Sequence, residues 1–455
     1  MRLPFTILVI ATLLNQVYST YSSRHTPVRP NTDEHLILTP LIEQNRIQQA
    51  RDASEVHLNG FRNIKSYSGF FTVDKPFNSN SFFWFFPAKN NPGTAPVILW
   101  CEGGPSASSL LGLFGQNGPF SLHKTGLRLR EPSWTTDHSV IYIDNSIGTG
   151  FSYTNGGYAQ NQTKVGKDLY AALIQFFKLF PELQRNEFYI AGESFGGKYA
   201  PAVAYTIHQN NPSAQVKINL KGLTIGNGLC DPINQYEYGE YFYQVGLIDA
   251  NERKQLERLE QQGIKLIQNK QFAESLEVRS TIFSLFANIT GYDNIFNFAT
   301  PIDPYNIIKK IEDIQVYVNR SEVRAALHVG KVPYNDQYET VYSNFNDDHM
   351  QSVVPWLEVL LNHYRVLFYN GQLDIILPYP LTVNFLKKMK FNGSDGYKTA
   401  ARHKWYVNSE LAGYVKEAGR MTEVLVIDAG HLVPTDQPQR ALDLIYRFTR
   451  NKPLY

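Results

Sequence analysis

The stretch Gly192-Glu193-Ser194-Phe195-Gly196 directly follows the apolar run 188–191 and directly precedes an amphipathic stretch, 198–209. A serine flanked by glycines at a strand-to-helix junction has the form of a nucleophile elbow. The glycines permit a tight turn that exposes the hydroxyl, and the N-terminus of the following helix favours developing negative charge. The chemistry on offer is acyl transfer through a serine ester. A serine hydroxyl needs a base to take its proton and a carboxylate to orient that base, in the chain order Ser, Asp, His for a sheet of this kind. His431 fits the base: Asp428-Ala429-Gly430-His431 follows the apolar run 424–427 by a short loop. Asp374 fits the carboxylate, because Asn370-Gly371-Gln372-Leu373-Asp374 follows the run 365–369 at the same end of the sheet. A lone histidine ordinarily reads as a surface or hydrogen-bonded core residue, but this placement favours a base. Asp428 and Asp436 compete with Asp374. Asp428 lies only three residues before the base, and Asp436 is expected to cap the helix that starts near Pro438.

Acyl transfer also needs donors for a tetrahedral oxyanion. Trp100-Cys101-Glu102-Gly103-Gly104-Pro105 supplies a glycine-rich loop after an earlier apolar run. The N–H groups of Gly104 and Phe195 would form the hole; without the elbow, the same residues read equally well as a plain Gly-Pro turn.

These loops need a scaffold. Apolar runs at 97–100, 140–143, 188–191, 220–225, 365–369 and 424–427 read as buried strands, with amphipathic helical stretches such as 168–179 and 198–209 between several of them. That alternation predicts an α/β fold: a mostly parallel central sheet with helices on both faces and ligands at the strands' C-terminal ends. Residues 69–73 and 81–86 read as an aromatic antiparallel hairpin, and 41–53 as a short helix. Between 227 and 355 the sequence turns charged and helical, including 250–271, and is read as a cap inserted into a core formed by 20–226 and 356–455.

Composition narrows the function. A 455-residue chain with 43% hydrophobic and 18% charged residues can bury a large core, which excludes a mainly disordered chain. A net charge of +2 gives no field to hold nucleic acid or an acidic membrane surface. Residues 1–19 have the pattern of a secretory signal peptide: Arg2, an apolar run from Leu3 to Leu14, then small residues before a cut. That run is short of the roughly 20 residues a bilayer span needs, so no membrane span is expected after its removal. Acceptor sequons at Asn161, Asn288, Asn319 and Asn392 suit a lumenal route and glycosylation. Two cysteines, Cys101 and Cys230, are too few for a disulfide framework. No metal-binding helix motif, phosphate loop or dinucleotide fingerprint appears, so neither a metal nor an organic cofactor is expected.

Taken together, the stretches 99–110, 142–153, 192–201, 369–376 and 430–438 resemble the serine carboxypeptidases, most closely their vitellogenic-carboxypeptidase-like branch. The resemblance runs from Leu38 onward. It implies an α/β-hydrolase fold with a helical cap. It also implies removal of single amino acids from peptide or protein C-termini through an acyl-enzyme, at acidic pH, with Ser194 as nucleophile, His431 as base and Asp374 as its orienter. In such enzymes the substrate's free carboxylate is held by an amide side chain in the Gly-Gly-Pro loop, a neighbouring glycine N–H and the glutamate before the serine. Here the glycine is Gly103 and the glutamate Glu193, but Glu102 occupies the amide position. Ser106-Ala107 replaces the usual Gly-Cys, and most of the family's disulfide cysteines are missing.

Two glutamates facing a substrate carboxylate would bring three like charges together, so at least one must hold a proton. A protonated glutamic acid donates a hydrogen bond much as the amide would, which shifts activity towards acid. Two other functions stay open at this point: an acyltransferase on the same scaffold, and a non-catalytic binding or protective protein with an impaired carboxylate clamp. A secreted or lysosomal destination and any oligomeric state stay open too. In the strand order implied by the resemblance, the strands ending near Trp100 and near Ile225, which lead to Cys101 and Cys230, lie on opposite sides of the nucleophile strand, two strand spacings or about 9 to 10 Å apart, beyond the roughly 7 Å reach of a disulfide.

Overall fold

A computed structural model describes residues 34–123, 126–301 and 307–455. The expected signal peptide therefore lies outside the described residues.

The core is a ten-stranded sheet. Its strands are β1 (Tyr67–Asp74), β2 (Ser79–Phe86), β3 (Val97–Cys101), β6 (Ser139–Ile143), β7 (Phe188–Glu193), β8 (Leu220–Gly226), β9 (Arg365–Gly371), β10 (His403–Val407), β11 (Glu410–Ala418) and β12 (Met421–Val426). A separate small hairpin pairs β4 (Phe120–His123) with β5 (Gly126–Leu129). Across the large sheet the order is β1-β2-β6-β3-β7-β8-β9-β12-β11-β10. The middle of it, from β6 through β3, β7, β8 and β9 to β12, is parallel. The two margins are antiparallel. A parallel sheet needs cover on both faces, which is why its strands read as unbroken apolar runs. Successive side chains accordingly enter two different cores. Leu99, Ile141, Ile190, Leu223 and Val366 belong to one, and Ile98, Trp100, Tyr142, Tyr189 and Leu367 to the other.

The aromatic hairpin forms as expected, with Phe70 paired to Phe82 and the rings of Phe71 and Phe83 stacked 4.4 Å apart. The helix expected over 41–53 is two helices, Thr39–Glu43 and Ile47–Ser54, because Asn45 turns into the left-handed region at φ 58° and ends the first.

Between β8 and β9 the described residues form helices and loops with no strand, chief among them Tyr238–Gln244, Ala250–Gln268, Phe272–Thr290 and Ile307–Val318. The charged Ala250–Gln268 helix is held at its start by a capping box: Asp249 accepts from the Glu252 N–H while Glu252 accepts from the Asp249 N–H. Tyr238, Phe242, Phe283 and Phe286 gather these helices around a third apolar cluster, which also takes in Ile375 from the loop after β9.

Candidate active site

The parallel strands deliver the singled-out residues to one end of the sheet. Ser194 sits between β7 and the helix Gly196–Asn210, at φ 59°. A non-glycine residue in that left-handed region is strained, and the strain turns the hydroxyl out of the strand line. Gly192 makes the turn possible, since a Cβ there would lie 2.2 Å from the Gly196 carbonyl oxygen.

Asp374 and His431 come from the loops after β9 and β12, which are neighbouring strands. Their side chains meet: His431 Nδ1 lies 2.8 Å from Asp374 Oδ2, with Asp374 fully buried and His431 1% exposed. Asp374 is fixed by donors on every side. Its Oδ1 accepts from the N–H groups of Ile376 at 2.9 Å and Leu377 at 3.3 Å, and its Oδ2 accepts from Asn227 Nδ2 at 2.6 Å. With Nδ1 directed at the carboxylate, the other imidazole nitrogen, Nε2, is sealed in the protein without a partner. No hydrogen bond joins it to Ser194 among the described residues, as is common for catalytic contacts before substrate arrives.

The competing aspartates do other things. Asp428 points to solvent near Arg440. Asp436 does not cap the helix Pro438–Thr449, whose N-cap is Gln437 with no side-chain bond. Its carboxylate accepts instead from Gly430 N–H at 2.7 Å and from Asn297 Nδ2 at 3.1 Å, which anchors the His431 loop. The sequence expectation for Asp436 was wrong because Gln437 intervenes and the loop's own N–H is the nearer donor.

Gly103 lies so close to the elbow that a Cβ on it would fall 2.6 Å from Ser194 Cβ and 2.9 Å from the Phe195 nitrogen. Only glycine lets the two loops touch. The Phe195 and Gly104 N–H groups donate no hydrogen bond among the described residues.

Beneath this lies a buried pair of carboxyls. Glu102 and Glu193 are 4% and 0% exposed, and the side chain of Gln116 stands between them. Gln116 Nε2 is 2.7 Å from Glu193 Oε2, and 3.2 and 3.3 Å from the two Glu102 oxygens, so its two protons serve both acids. Trp100 Nε1 donates to Glu102 at 3.0 Å. Burial pushes the Glu102 carboxyl up to about 7, against the pull of the Trp100 indole and backbone N–H groups. Burial, and after it the charge of Glu102, raises Glu193 well above the usual carboxyl range. Glu193 Oε1, Gln116 Oε1 and the Tyr369 hydroxyl are sealed in without partners.

Gln116 and Asn227 were missed in the sequence. Gln116 belongs to no motif and lies in a short π-helix, Gly112–Gln116. The one available signal was electrostatic: two facing glutamates call for a donor. Asn227 directly follows β8 at φ 43°, and an asparagine at the end of a buried strand is the one signal the sequence offers for it. The sequon asparagines Asn161, Asn288, Asn319 and Asn392 are all exposed. Cys101 and Cys230 are buried free thiols, on β3 and just after β8, the strands flanking β7. Among the described residues no group of His, Cys, Asp or Glu is placed to hold a metal.

Comparison with known proteins agrees with this geometry. A family model described as serine carboxypeptidase matches residues 57–451. A venom serine carboxypeptidase of Apis mellifera is 50% identical over 428 residues, covering 92% of this chain and 91% of the relative. A vitellogenic carboxypeptidase of Aedes aegypti is 44% identical, covering 98% and 96%. Among solved structures, a prohormone-processing carboxypeptidase from Saccharomyces cerevisiae superposes with a TM-score of 0.78 at 23% identity, over 88% of this chain and 96% of that one, and so shares the fold.

Proposed function

The chain belongs to the serine carboxypeptidase family, and from that premise we propose how its own residues release an amino acid from the C-terminus of a peptide. It is a serine-type carboxypeptidase on an α/β-hydrolase fold. Ser194 Oγ attacks the last peptide carbonyl while His431 Nε2 takes its proton, and Asp374 holds the imidazole and its developing charge. The N–H groups of Gly104 and Phe195 receive the oxyanion. His431 then passes the proton to the departing amine, and water repeats the sequence on the acyl-enzyme. The observation that carries this reading is the 2.8 Å His431–Asp374 bond, which leaves Nε2 as the one imidazole nitrogen free for the serine proton.

The substrate's free carboxylate is held by Gly103, Glu102 and Glu193, with at least one glutamate protonated, and Gln116 keeps the two acids together. The helices within residues 227–355 form a cap over the site. The protein enters the secretory pathway through the signal at residues 1–19, is glycosylated at the four exposed asparagines, and works in an acidic compartment or secretion. No described helix is long and apolar enough to cross a membrane.

The test is labelling by a serine-directed phosphonate together with a pH series of amino-acid release from N-blocked dipeptides. Ser194→Ala should abolish labelling and cut turnover by at least about 10⁴-fold while the protein stays folded. Turnover near the wild-type rate in that variant would refute the assignment.

A further inference from the structure

With the substrate's carboxylate at the Glu102–Gln116–Glu193 end, the residue on the acyl side of the scissile bond must lie on the other side of Ser194. Phe195 follows Ser194 as Glu193 precedes it, and its ring packs 4.9 Å from the ring of His349. His349 in turn lies 6.3 Å from Tyr342. Behind them stands Arg279, on the helix Phe272–Thr290 and only 6% exposed.

Arg279 is incompletely satisfied. Its Nε donates to the Tyr238 hydroxyl at 3.0 Å and its Nη2 to the Ile376 carbonyl at 3.3 Å, and its guanidinium lies over the Phe283 ring at 5.0 Å. Its Nη1 makes no hydrogen bond, and no carboxylate among the described residues pairs with it. The other buried arginine among the described residues, Arg324, shows what a purely structural role looks like. There the carbonyls of Gly330 and Val332 and the Asn319 side chain occupy every guanidinium nitrogen.

The Arg279 Nη1, the His349 ring nitrogens and the Tyr342 hydroxyl all lack hydrogen-bond partners, yet none is among the sealed side-chain atoms. Each of these atoms is therefore accessible to a small degree, in a region where His349 is itself only 5% exposed. Two links place them next to the chemistry. Ile376, which accepts from Arg279, donates its N–H to Asp374 Oδ1 at 2.9 Å. His349, on the other side, touches the residue that follows the nucleophile, and the charge of Arg279 helps to lower its pKa after burial. Lys198 is the second cation facing His349, but it is already paired with Asp348 at 3.0 Å. A buried cation without an anion is costly, and an incoming carboxylate removes that cost.

We propose that Arg279 selects the residue on the acyl side of the scissile bond, favouring an acidic side chain whose carboxylate binds Nη1, with His349 and Tyr342 as further hydrogen-bonding partners. This rests on the carboxypeptidase reading of Ser194. It makes the protein a peptidase for peptides with aspartate or glutamate next to the last residue.

The test compares N-blocked dipeptides carrying Glu, Gln or Lys at the acyl position before a common C-terminal residue, at a pH near 5.5 where a glutamate side chain is ionised. The wild type should show a kcat/KM for Glu at least about tenfold above that for Gln, with Lys lowest. Arg279→Met should bring the Glu-to-Gln ratio close to one, and Arg279→Lys should keep part of the preference, which a merely structural arginine would not do. Cleavage of Gln as fast as Glu by the wild type overturns this inference and leaves the carboxypeptidase reading standing. Failure to release an amino acid from any of the three overturns both.

Discussion

Gln116 Nε2 lies 2.7 Å from Glu193 Oε2, so an amide from a short helix further along the chain supplies the donor that two buried carboxyls call for. The same nitrogen also reaches Glu102. The pair of acids is thus tied by one neutral donor that stays a donor at every pH. What still titrates is Glu102, held up to about 7 by burial, and Glu193, which burial and the Glu102 charge also raise well above the usual carboxyl range.

The sign of the pH effect follows. In the proposed clamp, Glu102 carries its proton below about 7 and donates to a substrate carboxylate; as pH rises through that value it ionises and repels it. The wild-type KM should rise by about tenfold per pH unit beyond that point. Glu102→Gln removes the group that titrates and keeps a donor, so its KM should stay low further towards neutral pH with kcat little changed, because the clamp grips substrate and transition state alike. Parallel KM profiles for the two proteins would withdraw Glu102 from the clamp.

Asn227 gives a second expectation. Its Nδ2 donates to Asp374 Oδ2 at 2.6 Å, and its Oδ1 accepts from the Gly371 N–H at 3.2 Å, which locks the carboxylate against the strand that carries it. Asn227→Ala should lower kcat by roughly 10- to 100-fold, a second-layer loss smaller than that of the nucleophile, with KM near the wild-type value. Burst kinetics with an ester substrate separates the acylation step. An unchanged acylation rate would mean that the Ile376 and Leu377 N–H groups hold Asp374 without help.

The readable parts of the chain were those where burial dictates residue type on both sides. The middle strands, such as Val97–Cys101 and Phe188–Glu193, are covered on both faces and carry unbroken apolar runs. β10 and β11 were not anticipated: at the margin of the sheet they mix Lys404, Glu410, Lys416 and Glu417 with apolar residues, so no buried run marks them. The triad candidates were legible because strand ends place them, whereas Gln116 and Asn227 act through amides that no spacing rule singles out. Asp436 misled because a carboxylate ahead of a Pro-started helix looks like a cap, while its nearer donor, the Gly430 N–H, is visible only in three dimensions.

The cysteines offer a check on strand order itself. Cys101 ends β3 and Cys230 follows β8, with β7 between them, and both are free. Burial raises both thiols far above their usual range, so in the folded protein they should be inert to thiol reagents. Denaturing the unreduced protein should release two titratable thiols. Finding none would show that the loop after β8 can reach across the nucleophile strand.

Glu260 makes the last expectation, one about stability. It sits on the helix Ala250–Gln268, 4% exposed, and accepts from the Gly239 N–H at 2.6 Å near the start of the helix Tyr238–Gln244. Burial raises its carboxyl to about 7, with Glu257 and Glu237 adding to the shift against the backbone donors. In the unfolded chain the same group titrates near 4.3. Between those values the folded protein binds the extra proton, so this contribution to stability is complete below about 4.3 and is lost as pH rises through about 7. The loss can reach a few kcal/mol. Glu260→Gln keeps the acceptor for Gly239 and removes the titration. Its Tm should therefore fall less than that of the wild type between pH 5 and pH 8, with the gap opening mainly above pH 5. Calorimetric scans of both proteins at several pH values decide it: equal slopes would mean that water reaches this carboxylate between the helices and keeps its pKa ordinary.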